Sequence, residues 1–427
     1  MKNILSKYSF GVGDRFANQA KPQLQAIMMA KEIGCHITPV WNKSYREHDI
    51  IESESIETRH AVNKAVADLG WDDSYFLDAD HINLKNVDFF LDTCDFYTID
   101  VADFIGHKIE ENHKKDFYEK NKKFIGTLNL NGFGLIEITS ELIESVANKY
   151  LFAVHEAKKI YDYINSKINA DSFIVEISMD ETDNPQTPAE LFFILKAVAD
   201  LKIPVNTIAP KFSGRFNKGV EYIGDLSIFK KEFEQDVAVI ELVKKEFGMN
   251  PELKLSVHSG SDKFSLYPIM QEILKKHDAG LHLKTAGTSW LEELIGLSEA
   301  GGEGLSIAKH IYSESYKYYD ELCMPYLSVI EIDKSMLPSP DEVNSWDGKI
   351  FSQTLRHDQK NSHYNLNFRQ LLHVGYKIAS KLENKYLDVL KNNEEIISKN
   401  VTENIFHRHI EPLFLGKQII KGELNVD

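Results

Sequence analysis

The side chains best suited to chemistry in this 427-residue chain sit at the ends of a few short apolar runs. Tyr75 to Lys85 delivers Asp78, Asp80, His81, Asn83 and Lys85, and Phe173 to Thr182 delivers Glu176, Ser178, Asp180 and Glu181. Later runs end in Lys211, in His258 with Asp262 and Lys263, and in His282 with Lys284, while the first ends in Asp14 and Arg15. Imidazoles near carboxylates suit a divalent cation such as Zn, Mn, Ni or Co. Each histidine alone reads as a structural residue. His258 and His282, however, occupy what look like equivalent places on adjacent strands, which favours ligation. Glu176 lies inside an apolar run, where a charge is costly unless paired, metal-bound or protonated, so a functional role is favoured over a buried ion pair. Lys284 has two readings. A Schiff-base nucleophile would need a desolvated pocket that lowers its pKa, whereas a simple cation would hold a substrate carboxylate or hydroxyl; the second is preferred.

These groups converge only if the fold brings the run ends together. Eight runs qualify as strands, at Tyr8 to Val12, His36 to Trp41, Tyr75 to Ala79, Phe96 to Val101, Phe173 to Ile177, Pro204 to Ala209, Leu253 to Val257 and Leu281 to Lys284. Amphipathic stretches alternate with them, as in a parallel sheet with helical crossovers. Thr187 to Glu190 is a capping box with Pro at the first helical position, and Ser289 to Glu292 reads as a second one, opening the last barrel helix. The pattern predicts a (β/α)₈ barrel over residues 1–300, whose catalytic groups lie at the carboxyl ends of the strands. A helical insertion is expected at 103–170 and a mostly helical extension, packed on the barrel, at 301–427. Asp80 and His81 are sequence neighbours, and neighbours in an extended segment face opposite ways. Both enter one site only if the strand has turned there. A dinucleotide fold is disfavoured, because Gly11-Val12-Gly13 is not followed by the third glycine of its fingerprint: position 16 is Phe.

Composition narrows the function classes. With 49 Lys+Arg against 65 Asp+Glu the formal charge is −16, so nucleic acid, which demands a basic footprint, is excluded as a partner. Three scattered cysteines suggest neither a disulfide framework nor a thiolate metal site. No secretory signal and no window near the ~20 apolar residues of a membrane span is visible, so a cytoplasmic protein with no membrane partner is expected. Self-association, as a homo-oligomer, stays open. His357, His363, His373, His407 and His409 lack metal-ligand spacing and read as surface or packing residues, one of which could lid the barrel mouth.

The segments FGVGDRF, LDADHINLK, EISMDETDNPQTPAE, HSGSDKFSLYP, KTAGTSWLEEL and NFRQLLHVGYKIA together resemble the tagaturonate epimerase family of hexuronate catabolism. That resemblance implies a metal-dependent barrel acting on a small sugar acid, the interconversion of D-tagaturonate and D-fructuronate. It implies Asp80 as proton acceptor, Glu176 as proton donor with Glu181 as its rival, and His81, His258 and His282 as metal ligands. Arg15, Lys211, Lys263 and Lys284 are the candidates for holding the substrate carboxylate. The epimerised carbon is β to the ketone and its C–H is not acidified, so retro-aldol cleavage and re-addition is the expected route. Two other functions compete: a Schiff-base aldolase using Lys284, and a non-catalytic sugar-acid-binding barrel.

Overall fold

Runs rich in Val, Ile, Leu and Phe, buried on both faces, are what a parallel sheet wrapped by helices requires. The computed structural model, which describes residues 4–130, 133–168, 172–284, 287 and 289–416, pairs all eight expected runs in parallel. In chain order the strands are β1 (Tyr8–Gly13), β2 (Ile37–Ser44), β3 (Phe76–Ile82), β4 (Phe96–Asp100), β5 (Gly126–Asn129), β6 (Leu135–Ile138), β7 (Ile174–Ser178), β8 (Thr207–Ala209), β9 (Lys254–His258) and β10 (Leu281–Lys284). Eight of them close a barrel in the order β1-β10-β9-β8-β7-β4-β3-β2, and β5 and β6 form a separate antiparallel hairpin.

Side-chain parity sorts the interior into layers. Leu5, Val40, Phe76, Phe96 and Ile174 form an apolar plug distinct from the outer core. Above it come Ser9 and His282, then Asp78, Thr98, Glu176, Thr207 and Lys284, all almost fully buried. The mouth therefore begins at a polar layer.

The structure refines one expectation about the periphery, the mostly helical segment 103–170, and corrects another. The segment expected as a helical insertion contains the β5–β6 hairpin, and its helix Ser140–Lys167 packs on β4 and on the helix Pro188–Asp200 as the crossover of the barrel itself. The helix Ser289–Ala300 does not close the ring. That place, between the helices Tyr267–His277 and Ala20–Glu32, is filled by Asn404–Leu415, a π-helical run at the end of the extension. Phe414 packs on Tyr8 and Phe10 at ring distances of 4.8 and 6.4 Å, and the Tyr267 hydroxyl lies 2.6 Å from His409 Nδ1. The hydroxyl of Ser289 donates to the Gly13 carbonyl at 2.6 Å, tying this helix to the end of β1. The Thr187–Glu190 capping box forms as read. Thr285, Ala286 and Thr288 of the KTAGTSW motif and the final stretch 417–427 of the extension lie outside the described residues.

The extension is joined to the mouth through Asp262, in the loop after β9 at φ +53°. Arg369 donates to this carboxylate at 2.5 Å, and His357 Nδ1 lies 3.2 Å away. Arg369 and His357 both belong to the extension.

Asp236, on the helix Leu226–Phe247, is 2% exposed and its Oδ1 has no hydrogen-bond partner. Burial, reinforced by Glu232, pushes its carboxyl well above the ordinary range. The folded state then keeps the proton that the unfolded chain loses above pH ~4, so this residue lowers stability as pH rises. Asp236→Asn is expected to stabilise the protein by about 1–3 kcal/mol at pH 8 and not at pH 4, measured by chemical denaturation.

Candidate active site

Strand register decides which side chains meet at the mouth. Lys284 is paired with His258, whereas His282 lies two residues lower, opposite Ser256. The equivalence read between His258 and His282 is thus a two-residue slip, which places His282 a layer deeper. Its Nδ1 lies 2.9 Å from the Ser9 hydroxyl, its ring packs 5.3 Å from Phe96, and burial lowers its pKa to about 3.

Lys284 is the hub of the polar layer. Its ammonium lies 2.7 Å from Asp78 Oδ2, 2.8 Å from Asp80 Oδ1 and 3.3 Å from Glu176 Oε1, and it donates to the Thr98 hydroxyl. Burial opposes the charge, but Asp78, Asp80 and Glu176 outweigh it and hold this amine well above the usual lysine value. A Schiff-base lysine needs the opposite shift. Burial, with Asp80 and Glu176 nearby, lifts Asp78 to about 7.

At the rim, β3 turns as the Asp80–His81 pair requires. The register against β4 shifts between Ala79 and Ile82, and His81 adopts φ +51°, a strained conformation for a non-glycine residue. Both side chains then face one site, with His81 Nε2 3.6 Å from Asp80 Oδ1. His81 Nδ1 lies 3.1 Å from Asp100 Oδ2. His258 stands between two carboxylates, Nε2 2.7 Å from Glu176 Oε1 and Nδ1 3.0 Å from Asp180 Oδ1. Burial disfavours charge on both rings, yet Asp80 lifts His81 to about 10 and Asp180 lifts His258 to about 9.

One ligand atom from each of His81, Asp180 and His258 falls within 4.8 Å of the others, and His81, Asp100 and Glu181 form a second such group. The nitrogen and oxygen donors suit a divalent transition metal. Each imidazole is also backed by a carboxylate, Asp100 for His81 and Glu176 for His258, which fixes the ring's orientation and raises its basicity as a ligand. Asp180 was legible by parity, since residues 176, 178 and 180 share one face of an extended run. It stands among the polar groups at the end of its run, but the expected ligands were His81, His258 and His282.

The remaining candidates are scattered. Glu176 is fully buried, its Oε2 accepting from the Thr207 hydroxyl at 2.6 Å, whereas Glu181 is exposed. Arg15 pairs with Glu47 and lies over the Tyr376 ring at 4.8 Å. The Lys211 amide donates to the side-chain Oε1 of Gln186 at 2.7 Å, and the Gln186 amide donates to the Lys211 carbonyl at 3.3 Å. Lys263 is not exposed to the mouth: its ammonium donates to the carbonyls of Asn217, Val220 and Ser261 at 2.8, 2.6 and 2.6 Å.

No helix among the described residues is long and apolar enough to cross a membrane. In a comparison with protein-family models, residues 2–413 match the tagaturonate epimerase family. A curated tagaturonate/fructuronate epimerase from Thermotoga maritima is 26% identical over 421 residues, spanning 95% of this chain and 80% of that protein. Among solved structures, the glycerol-complexed fructuronate-tagaturonate epimerase UxaE from Cohnella laeviribosi superposes with a TM-score of 0.77 at 22% identity, covering 97% of this chain and 82% of the other. The native crystal structure of that enzyme gives 0.76 at 22% identity, covering 96% and 81%. With a closed barrel, a charged mouth at its strand ends and a family match along nearly its whole length, the chain belongs to the tagaturonate epimerase family and is an epimerase.

Proposed function

We propose that this epimerase interconverts tagaturonate and fructuronate by reversible aldol cleavage, with a divalent cation held by His81, His258 and Asp180. The observation that carries this reading is the convergence of those three ligand groups at the strand ends, each imidazole backed by a further carboxylate. Zn, Mn, Ni or Co would suit the donors. When bound, such a cation acts as a Lewis acid toward adjoining carbonyl and hydroxyl oxygens and stabilises negative charge developing beside it.

The two ketouronates differ at C4, β to the C2 ketone, so enolisation cannot invert it, whereas breaking and re-forming the C3–C4 bond can. A base takes the proton of the C4 hydroxyl, the C4 oxygen becomes an aldehyde carbonyl, and the C3–C4 electron pair leaves with the C1–C3 fragment as an enediolate. Rotation of the C4–C6 aldehyde presents its other face. Re-forming the same bond and returning the proton to oxygen gives the epimer.

Asp80 takes the accepting role, its carboxylate oriented at the mouth by Lys284. Two acids compete to return the proton. Glu176 is enclosed behind His258 and bound through both oxygens, which supports a role in holding that imidazole. Glu181 is exposed and grouped with His81 and Asp100, so the return is assigned to Glu181. Glu176→Gln is then expected to weaken metal retention about 10- to 100-fold in competition with a chelator, the scale of losing a carboxylate that orients a ligating imidazole.

The route is tested with a ketouronate carrying deuterium at C4. Retention of the label, no primary deuterium isotope effect and a primary ¹³C effect at C3 and C4 are expected. A primary deuterium effect would mean that the C4–H bond breaks, and would overturn the aldol route.

A further inference from the structure

Beyond β8 the loop 211–224 carries a short stretch whose backbone is held by buried cations. Lys263 donates to the carbonyls of Asn217 and Val220, and Arg369 Nε donates to that of Gly219 at 2.5 Å. The Lys218 amide donates to the Val329 carbonyl and the Gly219 amide to the Gly260 carbonyl, both at 2.8 Å. Gly260, at φ +59°, makes this approach feasible, because a Cβ there would stand 2.9 Å from the Phe216 carbonyl. Within this fixed stretch the ammonium of Lys218 has neither a hydrogen bond nor an ion pair among the described residues. Its field comes from Arg15 and Arg46 on one side of the balance and Glu181 and Asp80 on the other, and burial with the two arginines lowers its pKa from the ordinary lysine value.

The C-terminal extension supplies the surroundings. Arg15 lies over Tyr376, Arg46 lies 5.0 Å over Tyr326, and the two phenolic oxygens are 2.5 Å apart. Arg15 is paired with Glu47, but its Nε has no partner. His373, 2% exposed, has no partner at either ring nitrogen, and its Nδ1 lies 3.2 Å from where a Cβ on Gly219 would stand. Arg15, Lys218 and Arg369 are the charges that hold this imidazole neutral after burial itself.

We propose that Lys218, with Arg15, Arg46 and His373 around it, is the subsite for the C6 carboxylate of the substrate. Cations from three separate segments and an unpartnered buried imidazole of the extension, gathered around one fixed loop, need an anion to complete them, and the substrate brings one. The choice of lysine also fits the reaction. The carboxylate travels with the aldehyde fragment that must turn, and an ammonium is a compact charge about which a carboxylate can pivot, whereas a guanidinium fork would fix its plane. Lys218 thereby selects uronates over neutral ketohexoses and keeps the fragment from leaving while it rotates. That second role rests on the aldol reading above; the recognition of charge does not.

Two non-reacting ligands separate these roles: the hexonate made by borohydride reduction of the ketouronate, and the hexitol of the same configuration. Calorimetry is expected to show hexonate binding weakened roughly 10- to 100-fold in Lys218→Gln, with hexitol binding unchanged and most hexonate affinity restored in Lys218→Arg. Equal weakening of both ligands, unchanged hexonate affinity, or a wild type that does not prefer the hexonate would overturn the subsite. During turnover, Lys218→Gln is expected to release more of the three-carbon aldehyde acid per epimerisation than the wild type. If hexonate affinity falls but neither enzyme ever releases that acid, the subsite stands and the role in retaining a fragment is overturned.

Discussion

Asp80→Asn is expected to lower kcat by about 10²- to 10⁴-fold while leaving folding and metal content intact, the scale of losing a positioned general base. The substitution keeps the shape of the side chain and its neighbours, Lys284 and His81, but removes the group proposed to take the C4 hydroxyl proton. Circular dichroism and metal analysis of the same preparation separate loss of chemistry from loss of structure. A variant retaining more than about a tenth of wild-type kcat would remove Asp80 from the accepting role.

Lys284→Met is expected to cost about 3–5 kcal/mol of stability as well as activity, because it leaves buried charges without their partner. Asp78 and Glu176 are 1% and 0% exposed, Asp80 is 7% exposed, and all three carboxylates face this single ammonium. Methionine fills a similar volume, so the loss reports charge more than packing. Adding Asp78→Asn to the variant is expected to return part of the stability, since two carboxylates then lack the ammonium where there had been three, and those two still have His258 and His81 beside them. Equal stability of the single variant and the wild type in denaturant titration would show that the polar layer does not depend on Lys284.

The sequence made the barrel legible because parallel strands buried on both faces leave continuous apolar runs, and eight such runs recur with helical spacers. It also showed where the site must lie, since strand ends carry the polar residues, and the need for β3 to turn at Asp80 and His81 is met by the left-handed His81 and the register shift beside it. Interstrand register was not legible. A slip of two residues keeps a side chain on the same barrel face, so parity could not separate His282 from Lys284 as the partner of His258. Long-range backbone contacts were equally hidden. Lys263 reads as a free cation at a strand end, yet it donates to two carbonyls of the neighbouring loop, Asn217 and Val220, and to one of its own, Ser261, and Lys218 lies in that neighbouring loop beyond any strand periodicity. The closing helix was missed for a topological reason: Asn404–Leu415 is more than a hundred residues from β10, and nothing local marks it as the element that covers Tyr8 and Phe10.

The most direct measurement is the divalent metal content of the purified protein and of three single variants, His81→Ala, Asp180→Ala and His282→Ala, each first confirmed as folded. Close to one equivalent should remain in the wild type and in His282→Ala, and be lost from the other two. Metal retained without His81 and Asp180, or lost on replacing His282, would contradict the placement of the cation at the rim of the barrel.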